Sequence, residues 1–159
     1  MYFVEEDLAK VLMCVSMLIS ILFGGKVDMN LVDIIGQATS INVYKSEGLT
    51  EFKKGSIEFM NIINGFVDMI ECAHEMPAFG VSLHEATIEA MKTGIWVEFS
   101  FAETQVHNEM LFDSLLINVE KEWSGFNLIR KYEGKYEGRC FYLNLEDEDM
   151  SKLYELLTQ

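Results

Sequence analysis

The hydrophobic repeat of this 159-residue chain changes from helical to extended spacing near Ile95, and that change limits the folds open to it. In IWVEFSF (95–101), apolar residues on one side alternate with a mixed set on the other. A period of two is typical of a strand with one buried face. Three further segments have strand composition: 114–121, 125–132 and 138–145. Because short connections with turn residues join these segments, the pattern predicts a four-stranded antiparallel meander.

Before this point, apolar residues recur every three or four positions, which predicts helices. The segment from Ser56 to about Glu75 has this spacing, and Ser82 with Glu85 matches the capping box that opens a helix running to about Lys92. A short helix ends at Gly36, and a last one is predicted over about 147–157.

Two segments have a less defined secondary structure in the sequence. Residues 39–44 fit a strand or an extended link, and 46–55 form a polar turn region in which LTEFKK fits a helical turn.

The N-terminal run LAKVLMCVSMLISILFGG (8–25) is the most apolar stretch of the chain. Acidic residues precede it where a signal peptide has basic ones, and it is shorter than the roughly 20 apolar residues of a membrane span. We interpret it as a deeply buried helix. A helix that is apolar on most sides must be covered on more than one side, which points to a subunit interface.

The fold class predicted is α+β, with N-terminal helices packed on one face of a four-stranded antiparallel meander and a C-terminal helix. Residues 1–159 are expected to form one domain, with a helical half at about 1–92 and the sheet and last helix at about 93–159. The other sheet face is predicted to be mixed, with Trp96, Leu116, Ile129 and Tyr142 among polar residues. Such a face commonly contacts a partner.

Charge and cysteine content limit the class of function. The net charge of −14 repels phosphate backbones and anionic membrane surfaces, so neither nucleic acid nor membrane is an expected partner. The cysteines, Cys14, Cys72 and Cys140, are odd in number and widely spaced, which favours reduced thiols and a cytoplasmic location.

Catalytic and cofactor motifs are weak throughout the chain. No phosphate-binding loop, no G-x-S-x-G and no calcium-loop spacing occurs, so no cofactor is predicted. No metal site is predicted either, although His74 and His84 with a glutamate remain conceivable ligands. The segment 102–113, which contains His107, is the longest connection of the sheet half and fits a lid, an extra strand or a partner-binding loop.

Two functions are open on these grounds. The first is a non-enzymatic protein-interaction or regulatory module that acts as a homo-oligomer, since apolar surface is in excess and catalytic motifs are missing from the sequence. The alternative is a small-molecule-binding domain or enzyme with a pocket between helices and sheet. Its candidate pocket residues are Trp96, Phe99, His107 and Tyr142, with His107 as an acid or base.

Overall fold

The computed structural model describes residues 30–77 and 80–159, so the helix predicted within 8–25 lies outside the described residues. The described residues form four helices: α1 (Leu31–Ile35), α2 (Ile57–Glu71), α3 (His84–Ala90) and α4 (Ser151–Thr158). Their strands are β1 (Ser40–Lys45), β2 (Gly48–Lys53), β3 (His74–Met76), β4 (Val81–Ser82), β5 (Ile95–His107), β6 (Met110–Val119), β7 (Gly125–Lys131), β8 (Gly138–Arg139) and β9 (Phe141–Asn144). Over these residues, no helix has both the length and the apolar character needed to cross a membrane.

Seven strands form one antiparallel sheet in the order β2-β1-β5-β6-β7-β9-β3. The long hairpin of β5 and β6 lies in its interior, with Ile95 opposite Val119 and Phe99 opposite Leu115. β4 and β8 pair separately as a two-stranded antiparallel sheet. Since β2 and β3 end the order, they are the two edges of the large sheet.

One face of the sheet carries the main hydrophobic core, which α1, α2 and α4 cover. Helix α2 begins at Ser56, whose side chain accepts a hydrogen bond from the Phe59 N–H at 3.1 Å. Its buried side chains recur at helical spacing: Phe59, Ile62, Ile63, Phe66 and Ile70. The rings of Phe66 and Phe99 lie 4.7 Å apart, so α2 packs directly on an inner strand of the sheet.

The α+β class is confirmed, but the predicted four-stranded meander with N-terminal helices on one face is wrong. The sheet has seven strands, and β1, β2 and β3 lie among the helices in the chain. In β2 every residue except Phe52 is exposed, and β3 is exposed throughout. An edge strand that buries neither face lacks the period-two pattern that marks the inner strands. Residues 48–53 are therefore a strand rather than the helical turn predicted for LTEFKK.

The capping box predicted for Ser82 and Glu85 does not form. Leu83 occupies the N-cap position of α3 without a side-chain hydrogen bond. Ser82 instead pairs with Gly138 in the small sheet, and its hydroxyl donates to the Gly138 carbonyl at 3.3 Å. The same pairing divides the predicted strand 138–145 at Cys140 into β8 and β9. Pairing with a distant strand therefore holds Ser82, which the sequence pattern predicted as the cap of this helix.

The segment 102–113 continues the β5–β6 hairpin instead of forming a loop. His107 pairs with Met110 across Asn108 and Glu109, whose φ angles are 46° and 63°. Two positive φ values define the type I′ turn that suits two-residue hairpins, and asparagine tolerates this conformation well. A bulge between Ser100 and Gln105 shifts the strand register, which interrupts the alternation in the sequence.

Two glycines lead to opposite predictions for substitution by alanine. A Cβ at Gly65 in α2 would lie 3.5 Å from Leu156 Cδ2, an ordinary contact, so G65A should raise the free energy of unfolding by about 0.5–1 kcal/mol. A Cβ at Gly125 would lie 2.3 Å from Tyr142 Oη, so G125A should lower it. Urea unfolding of both variants measures the two shifts, and shifts of the same sign would contradict the packing described.

Candidate functional site

The sheet face opposite the main core carries a smaller group of side chains, which we call the outer cluster. Trp96, Leu116 and Tyr136 are buried in it, and Tyr44, Met91 and Ile129 pack against them. Met91 directly follows α3, and Tyr136 lies in the connection between β7 and β8. These two segments therefore shield part of the outer face from solvent.

Glu98 lies on the same face, with only 1% of its surface exposed. Its Oε1 accepts hydrogen bonds from Ser114 Oγ at 2.6 Å and Tyr136 Oη at 3.0 Å, and its Oε2 accepts one from Tyr44 Oη at 2.7 Å. Lys131 Nζ lies 3.3 Å from Oε1. Four donors from four different segments thus replace the water that the carboxylate loses on burial.

Tyr136 reaches the carboxylate because the chain turns back sharply just before it. The turn is at Glu133 and Gly134, whose φ angles of 50° and 79° again favour a type I′ turn. The Tyr136 N–H then donates to His84 Nδ1 at 3.1 Å, and the two rings stack with their centroids 5.9 Å apart. Tyr136 is therefore held at its backbone by α3 and at its hydroxyl by Glu98.

The surroundings decide the protonation states of these groups. Burial raises the pKa of the Glu98 carboxyl, but the hydrogen bonds from Ser114 and Tyr44 and the charge of Lys131 outweigh it, so the pKa lies below its ordinary value. Burial and the adjacent carboxylate raise the pKa of Tyr44 to about 12. They raise the pKa of Tyr136 as well. At neutral pH one carboxylate is therefore surrounded by neutral hydroxyl donors and one lysine.

This arrangement favours a structural role for Glu98. A general base needs a free lone pair within reach of a substrate proton. Both carboxylate oxygens of Glu98 already accept hydrogen bonds, and almost none of the residue contacts solvent. The network is suited to holding the outer face together rather than to proton transfer with a substrate.

A second polar cluster links the tip of the β5–β6 hairpin to the edge strand β3. His107 Nε2 lies 2.8 Å and 3.0 Å from the two carboxylate oxygens of Glu75, and Asn108 Nδ2 donates to Glu75 Oε1 at 2.7 Å. The His107 ring also contacts Phe141 edge-on, with centroids 5.0 Å apart. β6, β7 and β9 separate β5 from β3 in the sheet, and the tip of the hairpin lies beyond the bulge between Ser100 and Gln105, where a strand bends.

The four predicted pocket residues lie in different parts of the molecule: Trp96, Phe99, His107 and Tyr142. Trp96 is on the outer face, where its indole N–H donates to the Thr93 carbonyl at 2.8 Å, whereas Phe99 is in the main core. The sheet therefore separates these two side chains. His107 is at the hairpin tip, and Tyr142 is on β9 with its hydroxyl over Gly125.

The two conceivable metal ligands, His74 and His84, have different neighbours. His74 Nε2 lies 3.0 Å from Glu146 Oε1 at the surface, and His84 Nδ1 accepts the Tyr136 N–H. Within 30–77 and 80–159, no group of three or more histidine, cysteine or acidic residues is placed to hold a metal ion.

Sequence reasoning did not single out Glu98 or the residues that donate to it. A signal was present, because an acidic residue in the middle of an apolar strand needs partners if it is buried. Its donors come from positions 44, 114, 131 and 136, and only the strand register and the turn before Tyr136 bring them together.

The strand β2 lies at an edge of the sheet, and among the described residues its backbone is paired on one side only. β1 is its partner, and no other strand among the described residues pairs with it. The Lys54 N–H donates to the Thr39 carbonyl at 3.1 Å, which places the even-numbered backbone groups of β2 toward β1. Because these groups alternate along a strand, those of Leu49, Glu51 and Lys53 point away from the sheet.

A concavity of about 320 Å³ borders β2 on the helix side of the sheet. Its apolar lining residues are Val43, Phe52, Ile62, Leu156 and Leu157. Leu49 adds apolar surface on the other side of the strand, since 57% of it is exposed. We call β2 and this concavity together the open edge. It combines unpaired backbone groups with apolar surface, which is what an added strand needs.

Comparison of the chain with protein-family models, with curated proteins and with solved structures gave no match. The functional inference therefore depends on the geometry of the described residues. Of the surfaces described, the outer cluster is largely closed to solvent, while the open edge is accessible.

The role of Glu98 can be tested by neutralising it. E98Q places an amide among donors that need an acceptor, so we expect the free energy of unfolding to fall by about 2–4 kcal/mol. E103Q, on an exposed position of the same strand, should change it by no more than about 0.5 kcal/mol. Denaturant unfolding measures both. Equal stability of E98Q and the parent protein would contradict the structural role.

The raised pKa of Tyr44 predicts a loss of stability at alkaline pH. In the unfolded chain this hydroxyl ionises near 10, and in the folded protein near 12, so the unfolded state releases its proton first. Its contribution is therefore complete below pH 10 and decreases as the pH rises toward 12. Unfolding free energies measured over this range should fall less steeply in Y44F than in the parent protein. Parallel slopes would contradict a pKa of Tyr44 raised by burial and by Glu98.

Proposed function

We propose that this protein is a non-enzymatic protein-interaction module that acts as a homo-oligomer through the open edge of its sheet. The observation that carries the proposal is β2, an accessible strand that pairs on one side and has apolar surface beside it. Adding a strand to such an edge satisfies backbone groups and covers apolar side chains in one step.

Charge and core packing support a protein as the partner. The net charge of −14 disfavours nucleic acid. It also causes repulsion between two copies of the chain, but salt at about 0.15 M screens charges more than about 8 Å apart, whereas backbone pairing between strands acts at contact distance. We favour this function over a small-molecule pocket between helices and sheet because Phe66 and Phe99, both fully buried, are in contact at the centre of that space, and the concavity on the helix side lies at the sheet edge, beside β2. We further place the protein in the cytoplasm, which the free thiols Cys72 and Cys140 support.

The proposal predicts that removing one outward-facing amide of β2 weakens self-association. E51P deletes the N–H that points away from β1, at an edge position where proline is tolerated. E51A is the matched control, because it removes the same side chain and keeps the amide. We expect E51P to remain monomeric at concentrations where the parent protein and E51A associate, as measured by sedimentation velocity.

Circular dichroism and thermal unfolding of both variants establish that the protein is still folded, and protection of the even-numbered β2 amides from hydrogen exchange establishes that β2 still pairs with β1. A parent protein that stays monomeric over the whole accessible concentration range would overturn the proposal. So would an E51P variant that is folded and associates as strongly as E51A.

A further inference from the structure

We infer that the strand added to β2 is β2 of a second copy of this chain, paired antiparallel about a twofold axis beside Phe52. This inference depends on the proposed function and specifies its partner and register. It is drawn from the direction of the backbone groups of β2, the order of its charges and the position of one aromatic side chain.

Backbone direction limits the possible registers. Only the odd-numbered residues of β2 present their N–H and C=O groups to an incoming strand, so hydrogen-bonded pairs across a twofold axis join odd positions to odd positions. Within β2 these are Leu49, Glu51 and Lys53. The Lys53 carbonyl already accepts the Ser56 N–H at 3.2 Å, and its second lone pair serves the incoming strand. Symmetric pairing of these three positions leaves only a few registers to compare.

Charge distinguishes these registers. Pairing Glu51 with Glu51, or Lys53 with Lys53, places like charges directly opposite each other, which destabilises an antiparallel pair. The register centred on Phe52 places Glu51 opposite Lys53 of the second copy, and the symmetry makes this contact twice. Both side chains lie on the outer side of the sheet, in register with Asn42 and Ser40 of β1.

The same register also covers Phe52. This side chain is half-buried and lines the concavity on the helix side. At the twofold axis the two Phe52 residues form a non-hydrogen-bonded pair, the closer type, with Cα atoms roughly 4.5 Å apart. Each ring then covers the other, and the two seven-stranded sheets join with their helices on the same side. The register centred on Thr50 also keeps like charges apart, since it places Glu47 opposite Lys53. However, it places Phe52 opposite Gly48 and leaves the ring uncovered.

Charge reversal tests the register. E51K and K53E each place like charges opposite each other at both symmetric contacts, whereas the double variant E51K/K53E restores two opposite-charge pairs in reversed order. E103K is the control, since it changes the net charge as E51K does at an exposed position outside β2. Sedimentation equilibrium at about 0.15 M salt, where repulsion beyond about 8 Å is screened, gives the dimer dissociation constants.

We expect each single reversal to weaken the dimer at least tenfold and the double variant to return to within about threefold of the parent protein and E103K. Dimers of equal strength in all variants would overturn the inference and leave the proposed self-association in place. A parent protein that does not dimerise overturns both. If the single reversals dimerise more tightly than the parent, Glu51 and Lys53 protect the edge against pairing, and the inference is wrong.

Discussion

Burying the carboxylate of Glu98 would cost several kcal/mol if its charge had no partners. Side chains on the outer face of the sheet provide these partners. Tyr44 on β1, Ser114 on β6, Lys131 on β7 and Tyr136 beyond β7 all reach the carboxylate. Each donor comes from a different segment, so the charge fixes the relative positions of these segments. The connection that covers the outer face depends on it through Tyr136.

The two ends of the sheet differ in a way that bears on function. At β3, Glu75 meets His107, which links that edge to the tip of the β5–β6 hairpin. At β2, a six-residue strand presents an unpaired side and adjoins an apolar concavity. A packed interior with an accessible edge suits an interaction module, because the interior orients the edge before a partner arrives. Both β2 and β3 are edges of the sheet, and the proposed pairing uses β2, the longer one, which has an apolar concavity beside it.

A helix or strand could be predicted from the sequence where it buries side chains in a regular pattern. Inner strands such as β5 and β6 place every second side chain in the main core, and α2 buries its side chains at helical spacing, so both left a pattern in the sequence. β2 and β3 bury almost no side chains, so they left no such pattern in the sequence. The capping box predicted at Ser82 does not form because Ser82 pairs with Gly138. The alternation along 95–101 already indicates opposite faces for Trp96 and Phe99, whereas the place of His107 beside Glu75 depends on the pairing of distant strands.

Local periodicity in the sequence accounts for the α+β class, the helix α2 and the inner hairpin strands. The strong acidity of the chain is likewise a property of its composition. Three features instead depend on the folded arrangement: the buried and fully paired Glu98, the contact of His107 with Glu75, and the edge position of β2. These features depend on which distant segments pair and in what register, and that information is held in no single stretch of residues.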